Sequence, residues 1–199
     1  MATDIRALID NLTAWYDFRD KSVIHVGAGG GQLIGYAGAT RSVLAVDSDA
    51  EAVRRLGVAL RERGLLSRFV VFRGAFEAVR ARADVVFFEF CLHEIADPDA
   101  ALRHARALAP EALVVDHAPL SRWSWYCGEE AKVERAWSAV ARAGIVREET
   151  RMGAQQFHDY DELRAKVEPE GEPAIGRIEE FRTRQGIAIP MPYRMAVLR

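Results

Sequence analysis

Five short apolar runs follow one another in the first 116 residues, and segments of helical or turn character separate them. The runs occupy residues 22–26, 42–47, 68–73, 84–90 and 111–116. A nearly continuous apolar run of this length is typical of a strand that is buried on both faces. Parallel strands need long crossover connections, which are usually helices. The alternation therefore predicts an α/β fold in which helices cover both faces of a parallel sheet.

The segments between the runs carry helical signals. Helices are predicted over residues 3–13, 31–38, 50–63 and 98–108. In the first, apolar residues recur at i, i+3, i+4 and i+7, which is the spacing of one helix face. Asp97 followed by Pro98 is typical of a helix start, and Gly64 is typical of a helix end.

Beyond residue 116 the rhythm changes, although no linker or repeat interrupts the chain. The pattern predicts a helix ending near residue 143, a strand over 144–152, a helix over 160–167, a loop over 168–177 and a last strand over 193–199. Pro190 and Pro192 precede this last strand, so we expect it at an edge of the sheet. We interpret residues 1–199 as one domain.

A turn rich in glycine follows the first strand directly, in the stretch VIHVGAGGGQL from Val23 to Leu33. Such a turn brings bare backbone close to a ligand at the end of a strand. Asp47 ends the next strand, where a carboxylate can accept hydrogen bonds from both ribose hydroxyls of a nucleoside. The ligand is therefore either a dinucleotide or S-adenosylmethionine.

The spacing of the glycines separates these two ligands. The dinucleotide fingerprint G-x-G-x-x-G would need a glycine at position 32, where the chain has Gln32. Gly27, Gly29 and Gly31 instead form G-x-G-x-G, which resembles the first motif of class I S-adenosylmethionine-dependent methyltransferases. The stretches VLAVDSD at 43–49, FRGAFEA at 72–78 and the block from 83 to 116 are similar to later segments of that family, in the same order.

This resemblance implies a Rossmann-like methyltransferase fold with a mostly parallel seven-stranded sheet and helices on both faces. It also implies S-adenosylmethionine as the cofactor. The residues then expected at the cofactor are His25, Gly27, Ala28, Gly29, Gly31, Asp47, Ser48, Ala75, Phe76, Glu89 and Phe90.

The chain departs from the family at His25, where an acidic residue usually helps to hold the methionyl ammonium. An imidazole cannot replace that charge. Glu89 ends the fourth strand, and strand ends converge on the ligand crevice. Our hypothesis is that Glu89 holds the ammonium or the substrate, with His25 as a neutral hydrogen-bonding partner. Ala75 likewise stands where an acid is often found near the adenine.

Methyl transfer requires alignment of the acceptor, and a base only where the acceptor must lose a proton. Catalytic candidates are Glu89, His93 and His117, at the ends of the fourth and fifth strands. Whether His93 acts as a base or only packs stays open at this stage. Substrate contacts are expected from Cys91, Glu94, Asp116, Trp123, Tyr126, Arg151 and Gln155. We expect residues 1–20 to lie over the cofactor and 117–186 to form a roof over the substrate.

Charge and composition narrow the partners. A formal net charge of −2 gives no general attraction to nucleic acid or to an anionic membrane, and the (N/D)PP(Y/F) signature of base methylation is missing. We therefore expect a small-molecule acceptor, neither nucleic acid nor a membrane as partner, and a monomer or homodimer. Two cysteines without a CxxC pair suggest the cytoplasm. The spacing of possible ligands is not diagnostic, so no metal site is expected.

Three alternatives remain at this stage. The chain could use the same cofactor without methyl donation, by cyclising or cleaving it. It could be an NAD(P)-dependent oxidoreductase, which Gln32 disfavours, or a relative that binds the cofactor and has no activity.

Overall fold

The computed structural model describes residues 5–199. Its strands are β1 Ser22–Val26, β2 Ser42–Asp47, β3 Phe69–Arg73, β4 Val85–Glu89, β5 Glu111–His117, β6 Ile145–Arg151, β7 Ala154–Asp159, β8 Gln185–Pro190 and β9 Tyr193–Leu198. Its α-helices are α1 Ile5–Trp15, α2 Ala50–Glu62, α3 Pro98–Leu108, α4 Arg122–Cys127, α5 Glu130–Arg142, α6 Tyr160–Val167 and α7 Glu172–Ile178. The first two residues of the predicted helix over 3–13 lie outside the described residues.

Seven strands form one sheet in the order β3-β2-β1-β4-β5-β9-β6. Strands β3, β2, β1, β4 and β5 run parallel to one another. Strand β9 is antiparallel to both β5 and β6, so β6 runs in the same direction as the first five. The predicted mostly parallel seven-stranded sheet is confirmed.

Helices cover both faces of this sheet, and β4 shows how. Successive side chains of a strand point to opposite faces. Val86 and Phe88 pack into the cluster that holds α3 and α5. Val85 and Phe87 pack on the other face, with α1 and the 3₁₀ turn at residues 34–39. Because both faces are covered, the central strand carries no polar residue before Glu89.

The last strand is not at an edge, as the sequence had suggested. Pro190 ends β8 and Pro192 lies in the connection, so the prolines stop before Tyr193. Strand β9 therefore keeps its backbone donors and pairs on both sides. The edge strands of the sheet are β3 and β6.

The helix predicted over 31–38 is also wrong. A 3₁₀ helix over Ile34–Ala39 takes its place. Glycine is a poor helix former, and the segment contains Gly35 and Gly38. A Cβ at Gly35 would lie 2.9 Å from Cδ1 of Ile9, so the segment is pressed against α1. The glycine turn is therefore followed by a 3₁₀ helix and not by the predicted α-helix.

Part of the chain after β5 forms a second layer that sequence reasoning describes only in part. The helix predicted up to residue 143 corresponds to α5, whereas the short helix α4 was not predicted, and the predicted loop over 168–177 contains α7. Strands β7 and β8, which were not predicted, pair as an antiparallel ribbon. A cluster of buried side chains joins this ribbon to α4, α6 and α7. Across residues 5–199, no helix has both the length and the apolar character that crossing a bilayer demands.

Candidate functional site

The carboxyl ends of β1 and β4 touch at Gly27. A Cβ at this position would lie 2.5 Å from Cβ of Cys91 and 2.9 Å from the carbonyl oxygen of Glu89. The φ angle of Gly27 is +72°, in the left-handed region that favours glycine. Only a residue without a side chain fits here, and the turn consequently leaves open space above it.

Two cavities meet at Gly27 and together form one cleft along the strand ends. The first, of about 380 Å³, extends from Gly29 and Glu89 towards Trp123. The second, of about 360 Å³, extends towards Asp47 and Phe76. Both are large enough for part of a small ligand. We call them the roofed cavity and the ribose-side cavity.

Asp47 is held in place by the backbone on either side of it. Its Oδ2 accepts a hydrogen bond from the amide of Gly29 at 2.8 Å, and its Oδ1 accepts one from the amide of Asp49 at 2.9 Å. Each carboxylate oxygen has a second lone pair. The oriented carboxylate can therefore still accept hydrogen bonds from a sugar diol.

The rest of the ribose-side cavity also fits an adenosyl group. Ser48, Ala75, Phe76 and Cys91 line it, as does Glu94. Of these, Ser48, Ala75 and Phe76 were expected at the cofactor, whereas Cys91 was expected at the substrate. The cavity thus combines an oriented carboxylate with an aromatic ring, which suits a sugar and a base.

His25 does not reach the cleft. Its ring is fully buried and stacks on Phe87 with a centroid distance of 4.6 Å. Nδ1 lies 3.1 Å from the Tyr36 hydroxyl, and Nε2 lies 2.6 Å from Oε2 of Glu89. With hydrogen on Nε2, the imidazole accepts from the Tyr36 hydroxyl, and its Nε2 contacts the carboxylate of Glu89. The expected direct contact of His25 with the cofactor is therefore wrong, and the residue positions Glu89 instead.

Glu89 lines the roofed cavity from the carboxyl end of β4. Only 8% of it is exposed. Burial raises the pKa of Glu89, and the contact with His25 opposes that rise. An ammonium group in the cavity would favour the ionised form. The carboxylate is thus suited to a cationic ligand.

His93 lies at the centre of a group of carboxylates. Its Nδ1 lies 2.6 Å from Oδ1 of Asp116, and its Nε2 lies 3.3 Å from Glu94 and 3.8 Å from Glu129. Burial by itself lowers the pKa of His93, but hydrogen bonds with these three acids raise it to about 11. The imidazolium form has no lone pair for a proton. This network therefore does not suit the role of general base that had been left open for His93.

Asp116 is also used inside the protein. Its Oδ2 accepts a hydrogen bond from the amide of His93 at 3.1 Å, and its Oδ1 accepts one from the amide of His117 at 2.8 Å. The residue is 1% exposed and does not line the cavity. Its expected contact with substrate is wrong, because the carboxylate orients the two histidines.

His117 differs from His93. Burial lowers its pKa, so the neutral imidazole is favoured. The ring lines the roofed cavity, and its Nδ1 is buried without a hydrogen-bond partner among residues 5–199. Of the two histidines, His117 is the one that could accept a proton.

Other expected contacts fall into two groups. Side chains or backbone atoms of Gly29, Phe90, Glu94, Trp123 and Gln155 line the roofed cavity, together with His93 and His117. Ala28 and Gly31 face away from it and pack against α2.

Tyr126 and Arg151 are not at the site. Tyr126 is fully buried on the far side of α4, where its hydroxyl donates to Glu180. Arg151 pairs with Glu149 on β6 at 2.5 Å. Both predictions are wrong, because the helical turn and the strand direct these side chains away from the cleft.

The structure adds residues that sequence reasoning missed. Cys127, Glu129, Lys166 and Glu170 line the roofed cavity, and Ile5 and Leu8 of α1 approach it from the N-terminal side. Glu129 reaches the cavity because the chain breaks at Gly128 between α4 and α5. Nothing in the sequence pattern around Glu129 had indicated that this side chain reaches the cavity.

Comparison with known proteins gives one family. A sequence-family model described as a methyltransferase domain matches residues 1–165. A search of curated proteins finds no match.

Solved structures share the fold at low sequence identity. A proposed methyltransferase from Bacillus halodurans is 14% identical, with a TM-score of 0.72, over 97% of this chain and 98% of its own. The YcgJ protein from Bacillus subtilis is 15% identical, with a TM-score of 0.68, over 98% and 97%. The [4+2]-cyclase SpnF is 18% identical, with a TM-score of 0.64, over 97% and 80%.

Proposed function

Because the chain belongs to the methyltransferase-domain family and has its class I fold, we propose that it methylates a small molecule held in the roofed cavity. The family match makes the chain an S-adenosylmethionine-dependent methyltransferase. The acceptor and the way in which the cofactor is held are our proposals. One observation supports them most directly: the two cavities meet at Gly27, with Asp47 at one end and Glu89 at the junction.

The residues of the cleft divide the cofactor between the two cavities. Asp47 would accept hydrogen bonds from the ribose hydroxyls, with Phe76 and Ala75 beside the adenine. Glu89 would hold the methionyl ammonium, with His25 fixing its orientation from behind. When bound, S-adenosylmethionine supplies a methyl group on a positively charged sulfur. Gly27 leaves room for that group between the cavities because it has no side chain.

The roofed cavity supports a small and uncharged or cationic acceptor. Its volume of about 380 Å³ is at the lower end of the range for small-molecule sites. The cavity is lined by four carboxylates, those of Glu89, Glu94, Glu129 and Glu170, and by the ammonium group of Lys166. This excess of carboxylates would repel a phosphodiester backbone. Trp123 and Phe90 supply aromatic walls, which attract cationic groups.

His117 and Trp123 would position the acceptor. The neutral imidazole of His117 could take a proton from an acceptor that must lose one. Trp123 is 3% exposed and stacks on Phe157, so its ring is a rigid wall.

The use of the cofactor without methyl donation is the second candidate. It was supported by the missing acid at His25, and a cyclase shares the fold. Glu89 now supplies a carboxylate at the same end of the cleft, which removes most of that support. Product analysis separates the two, because methyl transfer yields S-adenosylhomocysteine and attack within the methionyl chain yields methylthioadenosine.

The test uses S-adenosylmethionine with a deuterated methyl group. The purified protein is incubated with pools of small metabolites, and products are analysed by mass spectrometry. We expect S-adenosylhomocysteine to form together with one deuterated small molecule. If S-adenosylhomocysteine formed only when nucleic acid or protein was added, the proposed acceptor class would be refuted. Binding of the cofactor without turnover in any pool would favour the inactive relative.

We also place the reaction in the cytoplasm, with the protein as a monomer or homodimer. Cys91 and Cys127 are both free thiols, which is usual in a reducing compartment. Light scattering of the purified protein measures the oligomeric state directly.

A further inference from the structure

Three side chains of the roofed cavity have the composition of a metal site. A ring nitrogen of His93, a ring nitrogen of His117 and a carboxylate oxygen of Glu129 all lie within 4.8 Å of one another. All three residues are buried, and all three line the cavity. They come from the 3₁₀ turn after β4, the end of β5 and the start of α5.

His93 is oriented as a metal-binding histidine usually is. Its Nδ1 faces the buried carboxylate of Asp116 at 2.6 Å, which leaves Nε2 facing Glu94 at 3.3 Å and Glu129 at 3.8 Å. Ligating histidines commonly donate their other ring nitrogen to a carboxylate, which fixes the tautomer and the ring orientation. Asp116 would supply this second contact.

His117 provides an independent indication of a missing ligand. The residue is only 7% exposed, and its Nδ1 has no hydrogen-bond partner among the described residues. Buried polar atoms are nearly always paired. An unpaired nitrogen in the wall of a cavity is a position where a ligand completes the bonding.

The charges around His93 also favour a cation. The carboxylates of Asp116, Glu94 and Glu129 surround one imidazole. Lys132 neutralises only Glu94, at 3.0 Å. Buried charges are normally paired or bound to metal. A divalent ion at Nε2 of His93 would take the place of the proton that these acids now hold there, and would balance the carboxylates of Asp116 and Glu129.

We propose that a divalent transition metal binds Nε2 of His93, a ring nitrogen of His117 and the carboxylate of Glu129. Two imidazoles and one carboxylate are typical of zinc and of non-haem iron, whereas magnesium and calcium prefer oxygen ligands. With bonds of about 2.1 Å, tetrahedral ligands lie about 3.4 Å apart. The three atoms lie within 4.8 Å of one another and would have to move closer to reach that separation.

Three protein ligands leave at least one position of the metal open to the cavity. A His117 ring that binds the metal has no lone pair left for a proton, so the metal replaces the base role of His117, and we infer that the acceptor's heteroatom, a hydroxyl or thiol, coordinates at the open position and is thereby aligned. This second step rests on the proposed function, whereas binding of the metal does not. The proposal goes against the expectation from sequence spacing, which could not place Glu129 beside the histidines.

The experiment measures metal binding without any cofactor. Tag-free protein is treated with a chelator and titrated with zinc chloride by calorimetry, in parallel with magnesium chloride. We expect one zinc ion per chain and no comparable binding of magnesium. His117→Gln and Glu129→Gln should each weaken zinc binding at least tenfold. His158→Gln, which removes an exposed histidine of β7, is the matched control and should bind as the unchanged protein does.

Cobalt chloride supplies a second readout that needs no variant. Visible absorption of a nitrogen- and oxygen-ligated cobalt ion supports the site, whereas a thiolate charge-transfer band would assign the metal to Cys127 and overturn it. Absence of zinc binding, or equal weakening by His158→Gln, would also overturn it. If zinc fails to bind while S-adenosylhomocysteine does bind, only this proposal fails. If zinc binds but no methyl group is transferred to any acceptor, only the proposed function fails.

Discussion

Glu89→Gln tests how the cofactor's amino acid end is held. The substitution keeps the size of the side chain and removes its charge. The carboxylate is 8% exposed and lies 2.6 Å from Nε2 of His25, so glutamine can keep this contact through its amide oxygen. The variant should therefore fold, and the change in binding should report the charge.

The expected magnitude follows from the burial of this carboxylate. Attraction between unit charges about 3 Å apart is roughly 5 kcal/mol at an effective dielectric constant of about 20. Desolvation, which raises the pKa of Glu89, offsets part of it. A charge-assisted hydrogen bond contributes about 1.5–3 kcal/mol net. We expect S-adenosylhomocysteine to bind roughly 10- to 150-fold more weakly.

Calorimetry with two ligands makes the test specific. S-adenosylhomocysteine has the amino acid end, and methylthioadenosine lacks it. Glu89→Gln should weaken the first and leave the second within about twofold, because an interaction that methylthioadenosine never makes cannot be lost. Glu62→Gln, on the exposed end of α2, should change neither. This account of Glu89 would be refuted if the Glu89→Gln and Glu62→Gln variants bound S-adenosylhomocysteine with equal affinity. It would also be refuted if Glu89→Gln lost as much affinity for methylthioadenosine as for S-adenosylhomocysteine.

Three further predictions concern the cleft and the stability of the sheet. Gly27→Ala should destabilise the fold by about 1–3 kcal/mol through strain and overlap, and should weaken nucleoside binding, measured by thermal unfolding and calorimetry. Gly38→Ala is the control, because a Cβ at this position has open space around it, and it should change neither stability nor nucleoside binding. Equal melting temperatures of the two variants would contradict the overlap argument. Asp47→Asn should weaken S-adenosylhomocysteine and methylthioadenosine alike by about tenfold or more, and a loss for only one of them would contradict a ribose contact. Burial alone raises the pKa of Glu111, but its bonds to one tyrosine and two cations lower it to about 2. This stabilisation is present above the unfolded pKa of about 4.5 and is lost as pH falls towards 2. Glu111→Gln should therefore lower the free energy of unfolding in urea by about 1–2 kcal/mol at neutral pH. If the loss of stability did not shrink in acid, the ionised carboxylate would not be its origin.

Much of the sheet was predictable because its information is local. Each apolar run marks a buried strand, and an uninterrupted run identifies a strand covered on both faces. The glycine turn and Asp47 were predicted on the same basis, since the carboxyl ends of adjacent parallel strands meet at one crevice. The sequence therefore predicted that the glycine turn and Asp47 meet at one cleft, and the binding of a ribose there stays a prediction.

Edge and direction were harder to predict. Strand β9 enters the sheet between β5 and β6, and its own residues do not encode which neighbours it meets. The ribbon of β7 and β8 was missed because each strand is short and half exposed. Their pairing depends on packing against α4, which lies far from both strands in sequence.

The sequence by itself determined the fold class, the ligand turn and the carboxylate that faces it, because these depend on spacing within a few tens of residues. Only the tertiary structure decided which side chains reach the roofed cavity. It placed His25 behind Glu89, turned Tyr126 away and brought Glu129 to within 3.8 Å of His93. These outcomes depend on how whole helices pack against the sheet. A rotation of one helix changes every side chain that it presents, and no local pattern specifies that rotation.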